Sequence, residues 1–390
     1  MNVVLADGSE VVANSTSHPD LFWAMRGGGS GSFGIITHFT VNIFQTPLNS
    51  MVFLQFNAAA EVLDLWQRFF PNTPKEMTCY LRFQIGNTVL LCHHLGPMSE
   101  LQNIIAQSGA LQMQSIKYST FQSCTGIYAR SFVQGDLTCS NLAPLQTSPI
   151  ETNPKDYEKS KSDFVAKIIP MSVLNQLVTL WNNAPRTDAY IACNLMGGKG
   201  GPLTTVSPTD TPFPSRNGTL FVMQYAIPGN QGDYVPGSSH YTWLHAVESL
   251  LQPYTNGFKY QGYADLELQN FGLSYYGAAN FLRLIAIKKK YDPNNVFHND
   301  QSIPLNYTLP AQAQTSAPSA PATSSPSFTP APTATSVPTF SPASAIAILT
   351  ACLGPRLSPF LVTPNTTSKS VYNTYSWLSA GMLLTFFVSG

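Results

Sequence analysis

From Pro310 to Ala345 the chain loses the means to build a core, because 31 of these 36 residues are Pro, Ala, Ser or Thr. So little apolar side-chain area cannot offset the entropy that ordering the backbone would cost. The stretch is expected to be a disordered, extended stalk whose hydroxyls suit O-glycosylation. The folded body must lie before it. The 390 residues as a whole leave room for two or three domains at roughly 150 residues each.

That body is nearly free of charge patterning. It belongs to a chain with 20 basic and 20 acidic side chains, only 10% charged residues, against about 25% in ordinary soluble proteins. Aromatics at 12% and 30 prolines take up the difference. There is no electrostatic footprint for nucleic acid, and a neutral, polar small molecule such as a carbohydrate is the expected partner. The six cysteines (Cys79, Cys92, Cys124, Cys139, Cys193 and Cys352) form no CxxC pair, which argues against a zinc or redox motif. They are read either as scattered thiols or as supplying one disulfide, with Cys124–Cys139 the first pair to try. No metal site is expected, and the adjacent His93-His94 lacks ligand spacing. Sequons at Asn14, Asn217, Asn306 and Asn365, together with the stalk, point to the secretory pathway. The N-terminus MNVVLADGSE has neither a basic n-region nor an apolar h-region, so it is not expected to act as a signal peptide.

Short strands are expected at Asn2–Ala6 and Glu10–Val12 around an Asp7-Gly8 turn. A helix opens at Pro19, with Ser17 as its cap, and stops at Gly27-Gly28-Gly29. Residues 35–43 read as a strand. Further on, Ala58–Phe70 has helical spacing, with Val62, Leu65, Trp66 and Phe69 on one face. A hairpin over 80–92 turns at Gly86-Asn87. Helices are expected over 98–108, 172–182, 240–252 and 275–290, and strands over 113–118 (an edge), 190–196 and 220–225. The order implies an α+β fold, an antiparallel sheet covered by helices. Lys288-Lys289-Lys290 suits the negative end of the last helix's dipole.

Gly29-Ser30-Gly31-Ser32-Phe33-Gly34 matches G-x-G-x-x-G. A dinucleotide fingerprint needs a strand before it and a helix after it; here the order is reversed, which argues against a nicotinamide site. Glycine this dense still lets backbone amides approach a phosphate, although a plain tight turn would read the same way. The run Val3-Val4-Leu5-Ala6-Asp7-Gly8, His18-Pro19-Asp20-Leu21-Phe22-Trp23-Ala24-Met25-Arg26-Gly27-Gly28-Gly29 and Phe33-Gly34-Ile35-Ile36-Thr37 resembles the second half of a PCMH-type FAD-binding domain of the vanillyl-alcohol-oxidase superfamily. Tyr157 to Val165, Met196-Gly197-Gly198 with Thr211 to Arg216, Tyr260-Gln261-Gly262-Tyr263-Ala264-Asp265, and Tyr275 through Ile303 resemble segments of berberine-bridge-enzyme-like oxidoreductases.

The resemblance covers residues 1–305 and implies an organisation. Residues 1–47 would be the second part of the FAD-binding domain, the first part lying outside the chain. Residues 48–255 would be the substrate domain, and 256–305 a berberine-bridge element returning to the FAD domain. Residues 306–376 would be the stalk and 377–390 a hydrophobic tail, too short to span a bilayer of about 20 residues and laid out like a GPI-anchor signal. A non-native tail would look similar.

The resemblance also implies FAD as cofactor, with Gly28, Gly29, Gly34, Ile35 and Ile36 against its diphosphate and adenosine. An alcohol or sugar hydroxyl would be oxidised, with molecular oxygen as acceptor. A phenol has an ordinary pKa near 10, so a base role needs a neighbouring cation or hydrogen bonds to lower it. Tyr260 is the first candidate base and Tyr263 the second, with Arg216 and Asp265 orienting substrate or tuning the phenol. The alternative for each is sheet packing for the tyrosines and a surface position for Arg216 and Asp265. Gly262 stands where the family has Asn, and Ser215 where it has His. The full-length form would be extracellular or on the cell surface, and a monomer. The alternative reading is an inactive remnant that serves as a cell-surface or glycan-binding protein.

Overall fold

The computed structural model describes residues 1–29, 31–42, 49–57, 59–124, 157–195, 199–216 and 218–310. The stalk, the hydrophobic tail, Cys139, Cys352, Met196-Gly197-Gly198 and the sequons at Asn217 and Asn365 lie outside them. Among the described residues no helix is long and apolar enough to cross a membrane.

Strands β1 (Asn2–Val4) and β2 (Glu10–Val12) form the expected hairpin, with Gly8 at φ 83° closing the turn. Strand β3 (Ile35–His38) pairs antiparallel with β1, giving the order β2-β1-β3. It ends at His38 rather than running to residue 43. Helix α1 (Pro19–Met25) follows β2, but Ser17 is not its cap. His18 holds that position in a left-handed conformation with no side-chain cap bond, while Asn14 Oδ1 accepts from the Thr16 and Ser17 amides at 2.9 and 2.7 Å.

The larger element is a seven-stranded sheet with the order β7-β4-β6-β5-β9-β10-β8. Its strands are β4 (Asn49–Phe56), β5 (Met77–Gln84), β6 (Thr88–Leu95), β7 (Ile116–Cys124), β8 (Tyr157–Val165), β9 (Tyr190–Asn194) and β10 (Phe221–Gly229). Every pairing is antiparallel. Successive side chains in a strand point to opposite faces. On one face Leu81, Phe83, Ile191, Cys193, Met223 and Tyr225 share a core with helices α2 (Ala60–Phe69), α3 (Met98–Ser108), α4 (Met171–Asn182) and α6 (Ser239–Leu251). Val62 and Trp66 of the predicted helical face are buried there, with Leu65 and Phe69 packed beside them. A short helix α5 (Pro202–Thr205) lies between β9 and β10. The α+β reading therefore matches the observed architecture.

Helix α7 (Phe271–Tyr291) breaks at Gly277, at φ 70°. It packs on the N-terminal strands and α1 through one cluster that joins Val3, Leu21, Trp23 and Phe33 to Tyr276, Phe281 and Leu284. Lys288, read from the sequence as a dipole partner, is fully buried. It donates to Asp292 Oδ2 and to the Ser32 and Phe297 carbonyls. Disulfide chemistry goes beyond the single bridge expected, and the Cys124–Cys139 pairing falls outside the described residues. Cys79 and Cys92 face each other across β5 and β6 and are bridged. Cys124 is disulfide-bonded to a partner outside the described residues, and Cys193 is a buried thiol.

Candidate active site

The second face of the sheet carries the candidate site. The alternation that sends Leu81 and Phe83 to the helices sends Tyr80 and Arg82 the other way, and the same holds for Tyr190, Ala192 and Asn194 on β9. On this face Tyr260 and Tyr263 come together with ring centroids 5.2 Å apart, edge to face. Tyr260 is held by Phe164 and Phe213, at 6.2 and 6.1 Å, and by its amide donating to Ser162 Oγ at 3.0 Å. Asn194 Nδ2 approaches Tyr263 Oη at 3.5 Å.

Two of the four proposed catalytic residues stand apart from the phenols. Asp265 accepts from Lys159 at 2.7 Å and Lys161 at 2.9 Å. Arg216 Nη2 donates to Thr211 Oγ1 at 2.6 Å, and its guanidinium lies 5.3 Å from the Phe213 ring. Among the described residues no hydrogen bond or ion pair joins either group to Tyr260 or Tyr263. Nor are they surface residues: Arg216 and Asp265 are 7% and 4% exposed. The cation expected to lower a phenol is therefore missing from Tyr260, whose pKa burial pushes up. Tyr263 is pushed up further, first by burial and then by Tyr260 and Tyr80. Both hold their protons at neutral pH. The Tyr260 hydroxyl makes no hydrogen bond among the described residues, which leaves it available to a ligand.

Gly262 has a local consequence. A Cβ there would lie 2.6 Å from Tyr260 Cε1, so the ring occupies the space that any side chain at 262 would need. Ser215, in the place of the family's His, is buried and accepts from Asn256 Nδ2 at 3.3 Å.

The five residues proposed for FAD divide in two. A Cβ on Gly28 would meet the Ala24 carbonyl at 2.5 Å and Leu284 at 2.8 Å, and one on Gly34 would meet the Val4 carbonyl at 2.7 Å and Val3 at 2.8 Å. These glycines are required by protein packing, and the side chain of Ile36 joins the same core. Gly29, at φ 82°, and Ile35 are exposed, as is Gly31 at φ 71°. An exposed left-handed backbone of this kind can turn amides toward a phosphate, so the loop fits a cofactor through Gly29, Gly31 and Ile35, with Gly28, Gly34 and Ile36 beneath.

The sequence reading missed Tyr80, Arg82, Glu158, Tyr190 and Asn194. Tyr190 donates to Glu158 Oε1 at 2.9 Å, and the Arg82 guanidinium lies 4.3 Å from the Tyr190 ring centroid. Burial raises Glu158 above the ordinary carboxylate range and raises Tyr80 to about 12. The signal was the period of two in Thr78-Cys79-Tyr80-Leu81-Arg82-Phe83, where polar residues alternate with core residues.

Residues 259–304, which carry both tyrosines and α7, match the family model "Berberine and berberine like". FAD-linked oxidoreductase pynB of Aspergillus niger is 27% identical over 333 residues, covering 77% of this chain and 62% of the relative. The solved structure of Physcomitrella patens BBE-like 1 superposes with a TM-score of 0.68 at 25% identity, covering 79% of this chain and 65% of that one. A grass pollen allergen with glucose dehydrogenase activity, Phl p 4, gives 0.64 at 25% identity over 78% and 64%. The chain spans about three fifths of the length of the curated relatives it matches. The fold, the matched segment and these relatives agree, and the chain belongs to the berberine-bridge-enzyme-like family of FAD-linked oxidoreductases.

Proposed function

We propose that the chain serves an FAD-dependent oxidation of a hydroxyl group on a small, neutral alcohol or sugar, with oxygen as electron acceptor. The observation that carries this reading is the contact between Tyr260 and Tyr263 on the second sheet face, inside the family-matched segment. FAD, when bound, supplies the acceptor for the substrate's hydride. The protein's part is to position the hydroxyl and manage its proton. Tyr263, held protonated by burial, donates to the substrate oxygen. Tyr260 receives the hydroxyl proton at Oη once it has ionised.

Because Tyr260 is raised above its ordinary value, a base role requires turnover to climb with pH through and beyond about 10. Tyr260→Phe should lower turnover by at least a hundredfold and flatten that climb, with flavin still bound. Retained turnover in Tyr260→Phe would remove it as the base. The bridged Cys79–Cys92 pair and the exposed Asn306 sequon support an oxidising, secretory location, to be checked by a mobility shift on enzymatic deglycosylation.

A further inference from the structure

One carboxylate on the second sheet face has no part in the oxidation proposed above. Glu158 stands near the start of the edge strand β8, and its side chain is exposed. Tyr190 of β9 donates to its Oε1 at 2.9 Å. Its Oε2 makes no hydrogen bond or ion pair among the described residues, so one edge of the carboxylate is open to a ligand.

The strand register shows what lies between Glu158 and the tyrosine pair. Tyr190 is opposite Ala226 of β10, and Ala226 is opposite Ser160 of β8, two residues from Glu158. Ala192 and Ala226 make a low floor, against which Tyr80 and Tyr190 pack. Further along β9, Asn194 faces the same way as Tyr190 and approaches Tyr263 Oη at 3.5 Å. Tyr263 is close enough to feel the negative charge of Glu158, so one small molecule can span the two.

The charges around Glu158 narrow the ligand. Enclosure by protein raises the carboxyl, while the Tyr190 hydrogen bond and the Arg82 guanidinium favour the ionised form. Arg82 lies 4.3 Å from the Tyr190 ring centroid. Asp188 acts more weakly in the other direction and is itself paired with Arg186 at 2.7 Å. A cationic ligand at Glu158 would be repelled by Arg82. A hydroxyl meets no such penalty, because its oxygen both donates and accepts.

We propose that Glu158, oriented by Tyr190, determines specificity by accepting a hydrogen bond from a second hydroxyl of the substrate. The site thereby selects a polyol of monosaccharide size over an alcohol with a single hydroxyl. This rests on the oxidation at Tyr260 and Tyr263 proposed above, and Glu158 takes no part in the chemical step.

The test reads binding rather than turnover. D-glucose, D-galactose and benzyl alcohol are titrated separately into the chain and followed by saturation-transfer NMR. At least one sugar should bind saturably. Glu158→Gln keeps the shape but loses the charge, and should weaken that sugar by at least about fivefold, with benzyl alcohol unchanged. Tyr190→Phe should act in the same direction, because it releases the carboxylate. Wild-type sugar affinity in folded Glu158→Gln, an equal loss for benzyl alcohol, or no binding of either sugar overturns the proposal. If Glu158→Gln does not fold, Tyr190→Phe decides by the same comparison. Failure of the oxidation reading looks different: a sugar binds through Glu158 but leaves bound flavin oxidised. Flavin reduced by benzyl alcohol and by neither sugar overturns the Glu158 assignment alone.

Discussion

Lys161 Nζ lies 2.9 Å from Asp265 Oδ2, and both side chains are almost wholly buried. Lys161 belongs to β8, whereas Asp265 follows Tyr263 by two residues. The same carboxylate takes Lys159 at 2.7 Å, and Lys161 also reaches Glu267 at 2.9 Å and Glu248 of α6 at 3.3 Å. The tyrosine loop is thus tied to the sheet and to one covering helix by buried charge. Removing Lys161 leaves the buried Asp265 with Lys159 alone. Lys161→Met should destabilise the fold by about 3 kcal/mol, while Lys161→Met with Asp265→Leu should recover most of that loss. Denaturant titrations of the two variants check this, and equal losses would contradict the coupling.

The network also fixes the sign of the acid response. Burial alone would raise Asp265, but Lys161 and Lys159 outweigh it and hold the group below its ordinary value; Lys259 and Lys161 do the same for Glu248. A depressed carboxylate gives stability that is fully present above its unfolded pKa and lost as pH falls through the folded one. The stability gap between wild type and Lys161→Met should therefore be full at pH 7 and shrink below about pH 4. Unfolding free energies measured at pH 7 and 3 decide it.

Gly34 is a packing glycine on these contacts, so Gly34→Ala should destabilise the chain without cofactor by about 1–3 kcal/mol through overpacking against Val3 and Val4. An unchanged melting temperature would return the position to a purely cofactor-facing role.

Closing a loop between residues 79 and 92, a separation of 13, removes up to about 3 kcal/mol of unfolded-state entropy. Cys79→Ala with Cys92→Ala should lower stability by no more than that, since the β5–β6 pairing persists. A larger loss would mean that the hairpin depends on the bridge.

Five of the sheet's seven strands and its main covering helices were legible because apolar periods of two and of 3.6 read directly from the chain, as in Tyr80–Phe83 and Ala60–Phe69, whereas β4 and β8 were not read as strands. The resemblance singled out Tyr260 and Tyr263, whose rings lie edge to face. What escaped was everything set by long-range contact. Lys288 looks like a dipole partner until Ser32 and Phe297 enclose it. Ser17 looks like a cap, but the helix starts one residue later and His18 takes that position. Asp265 sits two residues beyond Tyr263 but turns to lysines on β8, and Arg216 turns to Thr211. A motif fixes which residues are neighbours along the chain, not which partner captures each charge.

The most direct measurement is titration of FAD into the folded chain, followed by quenching of flavin fluorescence. The account predicts saturable, stoichiometric quenching, with the bound flavin bleaching anaerobically on addition of an alcohol or sugar substrate and doing so far more slowly in Tyr260→Phe. A folded chain that leaves flavin fluorescence unchanged would contradict it.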